Sequence, residues 1–138
     1  MEIGRRNIKV GLAILVMAGF FAFYLGLTIP EHLSGGIYEM DMARITLRAG
    51  HTHGMLIGIC NVVIGLLLLN YNGSTKLSKG ISWLGIVSGL LPIGLILRGL
   101  TNGAMTFAPV AMIGGVALLG AFSLLLMGYR TKEPNSAG

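Results

Sequence analysis

Three histidines, one cysteine and eight methionines are the side chains of this 138-residue sequence best suited to hold a metal ion. Two of the histidines fall in one short string, Leu47-Arg48-Ala49-Gly50-His51-Thr52-His53-Gly54-Met55-Leu56, with Arg44 just ahead of it. A neutral imidazole is a ligand for iron, copper or zinc. Residues two apart on a helix point roughly 200° away from each other, so His51 and His53 do not readily bind one ion together and are expected to have separate jobs. His51 shares a face with Met55 and Gly58, and His53 shares one with Ile57, Cys60 and Asn61. If one imidazole ligates an iron porphyrin, Gly54 and Gly58 leave room for the macrocycle. Arg48 or Arg44 then sits where the propionates would emerge, so heme b fits both halves of the motif.

Other chemistry competes for the same residues. Met40, Met42, Met55 and Met105, together with His32, His51 and His53, have the soft donors of an extracytoplasmic copper site, although methionine also fills gaps in any apolar core. Glu31, Glu39 and Asp41 read most simply as solvated loop charges. Cys60 is the sole cysteine, which excludes an intrachain disulfide and a cysteine metal cluster, and it reads as a small packed residue. The sequence contains no phosphate-binding Walker loop, dinucleotide glycine fingerprint, serine nucleophile elbow or zinc-protease HExxH, and the function classes that need them lose support.

The elements that must carry these residues follow from composition. With 54% hydrophobic and 11% charged residues, the chain has too few polar groups to solvate a globule. A spanning helix needs about 20 apolar residues to cross roughly 30 Å of hydrocarbon. Four charge-free runs meet that need: Val10 to Ile29, Ala49 to Tyr71, Gly80 to Leu97 and Gly99 to Tyr129. They predict an all-α, antiparallel four-helix transmembrane bundle, with spans at about 8–29, 49–70, 80–98 and 105–129 in a single domain over residues 1–130. The first run ends in Thr28-Ile29-Pro30 without a small-x-small site, so it reads as mature structure and not as a cleaved signal. The 131–138 tail lacks an anchoring apolar residue and is expected to be disordered. A loop from Pro30 to Arg48 is expected between the first two spans, and short turns join the others.

The net charge of +5 has meaning only when sorted by loop. Arg5, Arg6, Lys9, Lys76, Lys79, Arg130 and Lys132 fall on one side of a four-span topology, and Arg44, Arg48 and Arg98 on the other. The excess places both termini in the cytoplasm and makes lipid, not nucleic acid, the expected partner. Many of the 22 glycines lie inside the spans, at intervals of four in Gly50, Gly54 and Gly58, which predicts close helix packing or a homo-oligomer, or a smooth slot for a flat ligand. Pro92 is expected to bend the third span and free backbone carbonyls. Asn61 in mid-span needs a partner on another helix, or a ligand. Arg98 is expected to snorkel to the headgroups or meet a propionate, and Trp83 to anchor the span at the interface.

Two resemblances rest on these residues. Arg48-Ala49-Gly50-His51-Thr52-His53-Gly54 resembles, over about ten residues, the heme-ligand motif on the second transmembrane helix of heme-copper oxidase and nitric oxide reductase main subunits, with one pattern favouring His51 and the other His53. More broadly, the size, the four spans, the start of the second helix, the Lys76 to Lys79 turn and the Leu100 to Pro109 segment resemble styrene oxide isomerase. That resemblance implies a trimer in which a histidine near the start of the second helix, here His51 or His53, ligates heme b. It further implies an epoxide isomerase whose ferric iron acts as Lewis acid on a small apolar epoxide. The third helix departs from the family pattern, reading Gly89-Leu90-Leu91-Pro92-Ile93-Gly94-Leu95-Ile96-Leu97 with no tyrosine. An electron carrier with His32 as second axial ligand, a copper protein and a non-catalytic subunit of a membrane complex are the other expectations.

Overall fold

In a computed structural model the described residues are 2–27, 42–101 and 103–128. The loop that holds His32, Glu31, Glu39, Met40 and Asp41, the side chain of Met42, and the 131–138 tail lie outside them. Helix α1 is Glu2–Leu27 and α2 is Met42–Leu69; the third span is divided into α3, Thr75–Val87, and α4, Leu90–Leu100; a short 3₁₀ turn, Met105–Phe107, leads into α5, Ala108–Gly128. Among the described residues four helices, counting α3 with α4, are long and apolar enough to cross a membrane, and the chain is a multi-pass integral membrane protein built as an all-α bundle. One end, here called the turn end, holds the start of α1, the α2–α3 turn and the end of α5. The opposite loop end holds the end of α1, the start of α2 and the α4–α5 connection.

The helices approach closely because glycines face one another. A Cβ built on Gly4 would lie 2.5 Å from the carbonyl oxygen of Gly65, and one on Gly11 would lie 2.6 Å from that of Gly58. Side chains there would push α1 off α2, so both pairs hold the two backbones together. Gly94 and Gly114 do the same between α4 and α5. The small dry core at the turn end is Ile64 and Leu68 of α2, Ile81 of α3, and Ala121 and Leu125 of α5. Large apolar side chains such as Phe20, Phe23, Leu126 and Met127 remain exposed on the outside, as lipid-facing residues must.

The third span breaks one turn before Pro92. Proline has no N–H to give to the Ser88 carbonyl, and the amide of Leu91 bonds that carbonyl instead, at 3.0 Å. The amide of Gly89 likewise turns to the Ile86 carbonyl. This leaves the Gly85 carbonyl to other donors, and it accepts from Ser88 Oγ at 2.6 Å and from Asn61 Nδ2 at 2.8 Å. The third span is therefore interrupted at Ser88 and Gly89, just ahead of Pro92, and the freed Gly85 carbonyl is matched by side chains, as a lipid environment requires.

Three spans begin ahead of the hydropathy reading, the first at Glu2, the second at Met42 and the third at Thr75. Helix α2 begins at Met42, seven residues before the charge-free run, so Arg44 and Arg48 are helical and not in a loop. Hydropathy marks where lipid contact starts, whereas the helix continues as far as packing supports it. Here Gly99 of α4 lies against Ala43 and Leu47. Arg98 at the end of α4 donates from Nε to the Gly103 carbonyl at 3.1 Å. It closes the end of α4, where Gly103 takes a φ of 82°.

Candidate functional site

The small residues of α1 that face α2 recur every seven positions, Gly4, Gly11 and Ala18, and Asn7 joins them; these four are the buried residues of that helix. At the turn end α1 is also tied to α3. Asn7 Nδ2 donates to Asn61 Oδ1 and to the Ser82 carbonyl, both at 3.2 Å, and the Ser82 hydroxyl donates to Asn7 Oδ1. Arg6 adds an Nη2 bond to Ser82 Oγ at 3.0 Å. Toward the loop end α1 and α4 part, and α2 becomes the floor of a groove between them.

That groove has a volume of about 660 Å³, within the range of small-molecule sites. Its walls are apolar, including Ile14, Met17 and Phe21 of α1 and Leu90, Pro92 and Ile93 from α4. The floor comprises Gly50, His51 and Gly54, and His51 is the one polar side chain among the lining residues. A second cleft of about 370 Å³ lies toward the loop end, lined by Ala22, Leu25 and Gly26 of α1 and by Arg44, Arg48, His51 and Thr52 of α2. His51 belongs to both cavities. The helical start of α2 explains this arrangement, since positions 44, 48 and 51 fall on one face at spacings of four and three.

The His51 ring is fixed from behind. Its Nδ1 lies 3.0 Å from the carbonyl oxygen of Ala18 on α1. A carbonyl can only accept, so Nδ1 is the donor, and in the neutral ring that tautomer leaves the lone pair on Nε2. Imidazoles that ligate metals are commonly held through their other nitrogen in this way. His53 makes a comparable bond, from Nδ1 to the Ala49 carbonyl at 2.8 Å, but within its own helix. It lines neither cavity.

Of the residues singled out from the sequence, His51, Gly54, Arg44 and Arg48 are brought together around the two cavities. Met55 is exposed on the outer surface, and Gly58 is covered by Leu15 and Gly11 of α1. Asn61 is fully buried, and its amide is committed to Asn7, Ile57 and Gly85. Cys60 is half-buried and free. Among the described residues no three His, Cys, Asp or Glu side chains converge as a metal-binding group. The copper expectation depends mainly on Met40, Met42 and His32, which fall outside the described side chains.

Sequence reasoning missed Asn7, Ser82 and the Ala18 carbonyl. The seven-residue recurrence of small residues along α1 carries a signal for Ala18 and for the face that Asn7 shares, whereas no sequence pattern marks Ser82. Comparison with protein-family models, with curated proteins and with solved structures finds no match to this chain.

Proposed function

We propose that this chain is a membrane heme b protein in which Nε2 of His51 ligates the iron and Arg44 and Arg48 pair with the propionates. The supporting observation is the position of His51 at the boundary between an apolar groove and an arginine-lined cleft, with its Nδ1 engaged by Ala18. A porphyrin is itself divided in that way, with an apolar macrocycle and an anionic edge. Its single axial imidazole also requires no cluster of protein donors. Gly54 fits the role of a floor, because a Cβ there would already approach Ala18 and Pro92.

In this reading both termini are cytoplasmic, as the excess of basic residues at the turn end directs. The groove opens sideways between α1 and α4, so a second copy of the chain would complete the enclosure and the protein acts as a homo-oligomer. Bound ferric heme supplies a Lewis acid, and the reaction we propose is isomerisation of a small apolar epoxide. The apolar walls from Ile14, Met17, Phe21 and Ile93 admit such a substrate from the bilayer and exclude water. His51 holds its ligating nitrogen toward the groove through the Ala18 bond, and the two arginines hold the anionic edge at the loop end.

The test is an absorption spectrum and pyridine hemochrome assay of the detergent-purified protein beside His51→Ala and His53→Ala. Heme bound by the wild type and by His53→Ala, but lost from His51→Ala, is the expected result. Loss with His53→Ala alone would reassign the ligand. A colourless wild type expressed with ample heme would overturn the reading and bring copper uptake or a scaffold role forward.

A further inference from the structure

The turn end carries a second set of groups that faces the membrane surface. Helix α1 has 26 residues and is about 39 Å long, whereas the hydrocarbon is roughly 30 Å thick. Its charge-free stretch starts at Val10, so the excess length lifts Arg5, Arg6 and Lys9 into the headgroup layer. Lys76, Lys79 and Trp83 lie on one face of α3 at the same end, at spacings of three and four. Residues 2–9 and 75–83 thus contribute five cations and a single acid, Glu2.

Arg6 joins the two helices. Its Nη2 bonds Ser82 Oγ at 3.0 Å, and its Cζ lies 4.6 Å from the centre of the Trp83 ring. The residue is nevertheless exposed. A guanidinium has five N–H donors in a planar fork that matches a phosphate, and Ser82 occupies one of them. One turn deeper, the same two helix faces become apolar. Val10 and Ile14 follow Arg6 on α1, and Ile86 and Val87 follow Trp83 on α3, and all four line the near end of the groove. A ligand touching both regions needs an anionic phosphate and a hydrocarbon chain at a fixed distance from it. Inorganic phosphate has no chain, and a neutral oil has no charge.

We infer that Arg6, Lys79 and Trp83 form a binding site for an anionic phospholipid, with its phosphate on Arg6 and Lys79 and one acyl chain along Val10, Ile14, Ile86 and Val87. The acyl chain shares the groove with His51, entering it from the turn end while His51 serves the loop end, and the phosphate contacts on Arg6 and Lys79 do not depend on heme.

Trp83 is the only tryptophan in the chain, so its fluorescence reports on the lipid beside it. The protein is reconstituted in mixtures of phosphatidylcholine and phosphatidylglycerol in which one or the other carries brominated acyl chains. Quenching is referred to the unbrominated lipid of the same headgroup. Brominated phosphatidylglycerol is expected to quench at a several-fold lower mole fraction than brominated phosphatidylcholine. Arg6→Gln and Lys79→Gln should each reduce that preference by about fivefold, in line with one cation removed from an anionic surface. Arg6→Lys should retain part of it. Lys79→Gln keeps the test decisive if Arg6→Gln fails to fold, because the bond to Ser82 is left intact. Equal quenching by the two lipids in the wild type would overturn the inference, as would a preference that persists in Lys79→Gln and in a folded Arg6→Gln.

Discussion

Asn61→Ala is expected to destabilise the bundle by about 2–3 kcal/mol while leaving any bound heme in place. The side chain makes two bonds to other helices, accepting from Asn7 Nδ2 at 3.2 Å and donating to the Gly85 carbonyl at 2.8 Å. Interhelical hydrogen bonds in membranes average about 0.6 kcal/mol, so the pair accounts for about 1.2 kcal/mol. The remainder comes from Asn7, which is fully buried and would keep one N–H without a partner, at a cost of about 1–2 kcal/mol. The assay is unfolding of purified protein by increasing mole fractions of dodecyl sulfate, followed by helical circular dichroism. Combining Asn61→Ala with Asn7→Ala should give less than the sum of the single losses, because the shared bond is removed only once. The coupling is expected at about 1.6–2.6 kcal/mol, the shared bond of about 0.6 kcal/mol plus the penalty of about 1–2 kcal/mol on the orphaned Asn7 N–H, which the double variant no longer carries. A loss under about 0.5 kcal/mol for Asn61→Ala, the range of ordinary surface changes, would refute the reasoning. A heme band lost at full stability would instead assign Asn61 to the cofactor.

Further outcomes follow from the same geometry. Gly65→Ala places a methyl 2.6 Å from the Gly4 carbonyl and 2.9 Å from the Ile8 amide, both backbone atoms, and should cost about 1–3 kcal/mol in the same unfolding assay. Gly19→Ala meets nothing within 4 Å and should be neutral or stabilising by up to about 1 kcal/mol. Gly54→Leu should fill the groove floor and lower heme occupancy in the absorption spectrum while the helical signal is retained. Arg44→Gln combined with Arg48→Gln should weaken heme retention on detergent washing without moving the axial ligand, so the band position stays and its intensity falls.

The four spans and their packing by glycine were legible because lipid offers no hydrogen bonds and no shelter for large side chains between close helices. The separation of His51 from His53 was also legible, since two residues on a helix turn the chain through about 200°. The placement of Arg44 and Arg48 was not. Charge marks the edge of the hydrocarbon, and nothing in hydropathy tells whether the helix carries on past it. Asn61 was correctly flagged as needing a partner, but the partner could not be named. Asn7 lies outside the apolar run, and Ser82 is an ordinary residue until the break at Pro92 and the approach of α1 bring it close. The groove is lined from α1, α2, α3 and α4 together, and no single stretch of the sequence shows that these faces meet.

The polar tie at the turn end also bears on the order in which the membrane inserts the chain. Packing follows the order of synthesis, since α1 packs chiefly on α2, and α5 chiefly on α3 and α4. An early hairpin of α1 and α2 can therefore close on its glycine pairs as soon as both have left the translocation machinery. Asn7 and Asn61 can meet in that hairpin, but each keeps an amide hydrogen that only the Ser82 and Gly85 carbonyls of α3 accept. The unfinished hairpin thus presents two unmet donors, which mark where and in what register the next span must dock.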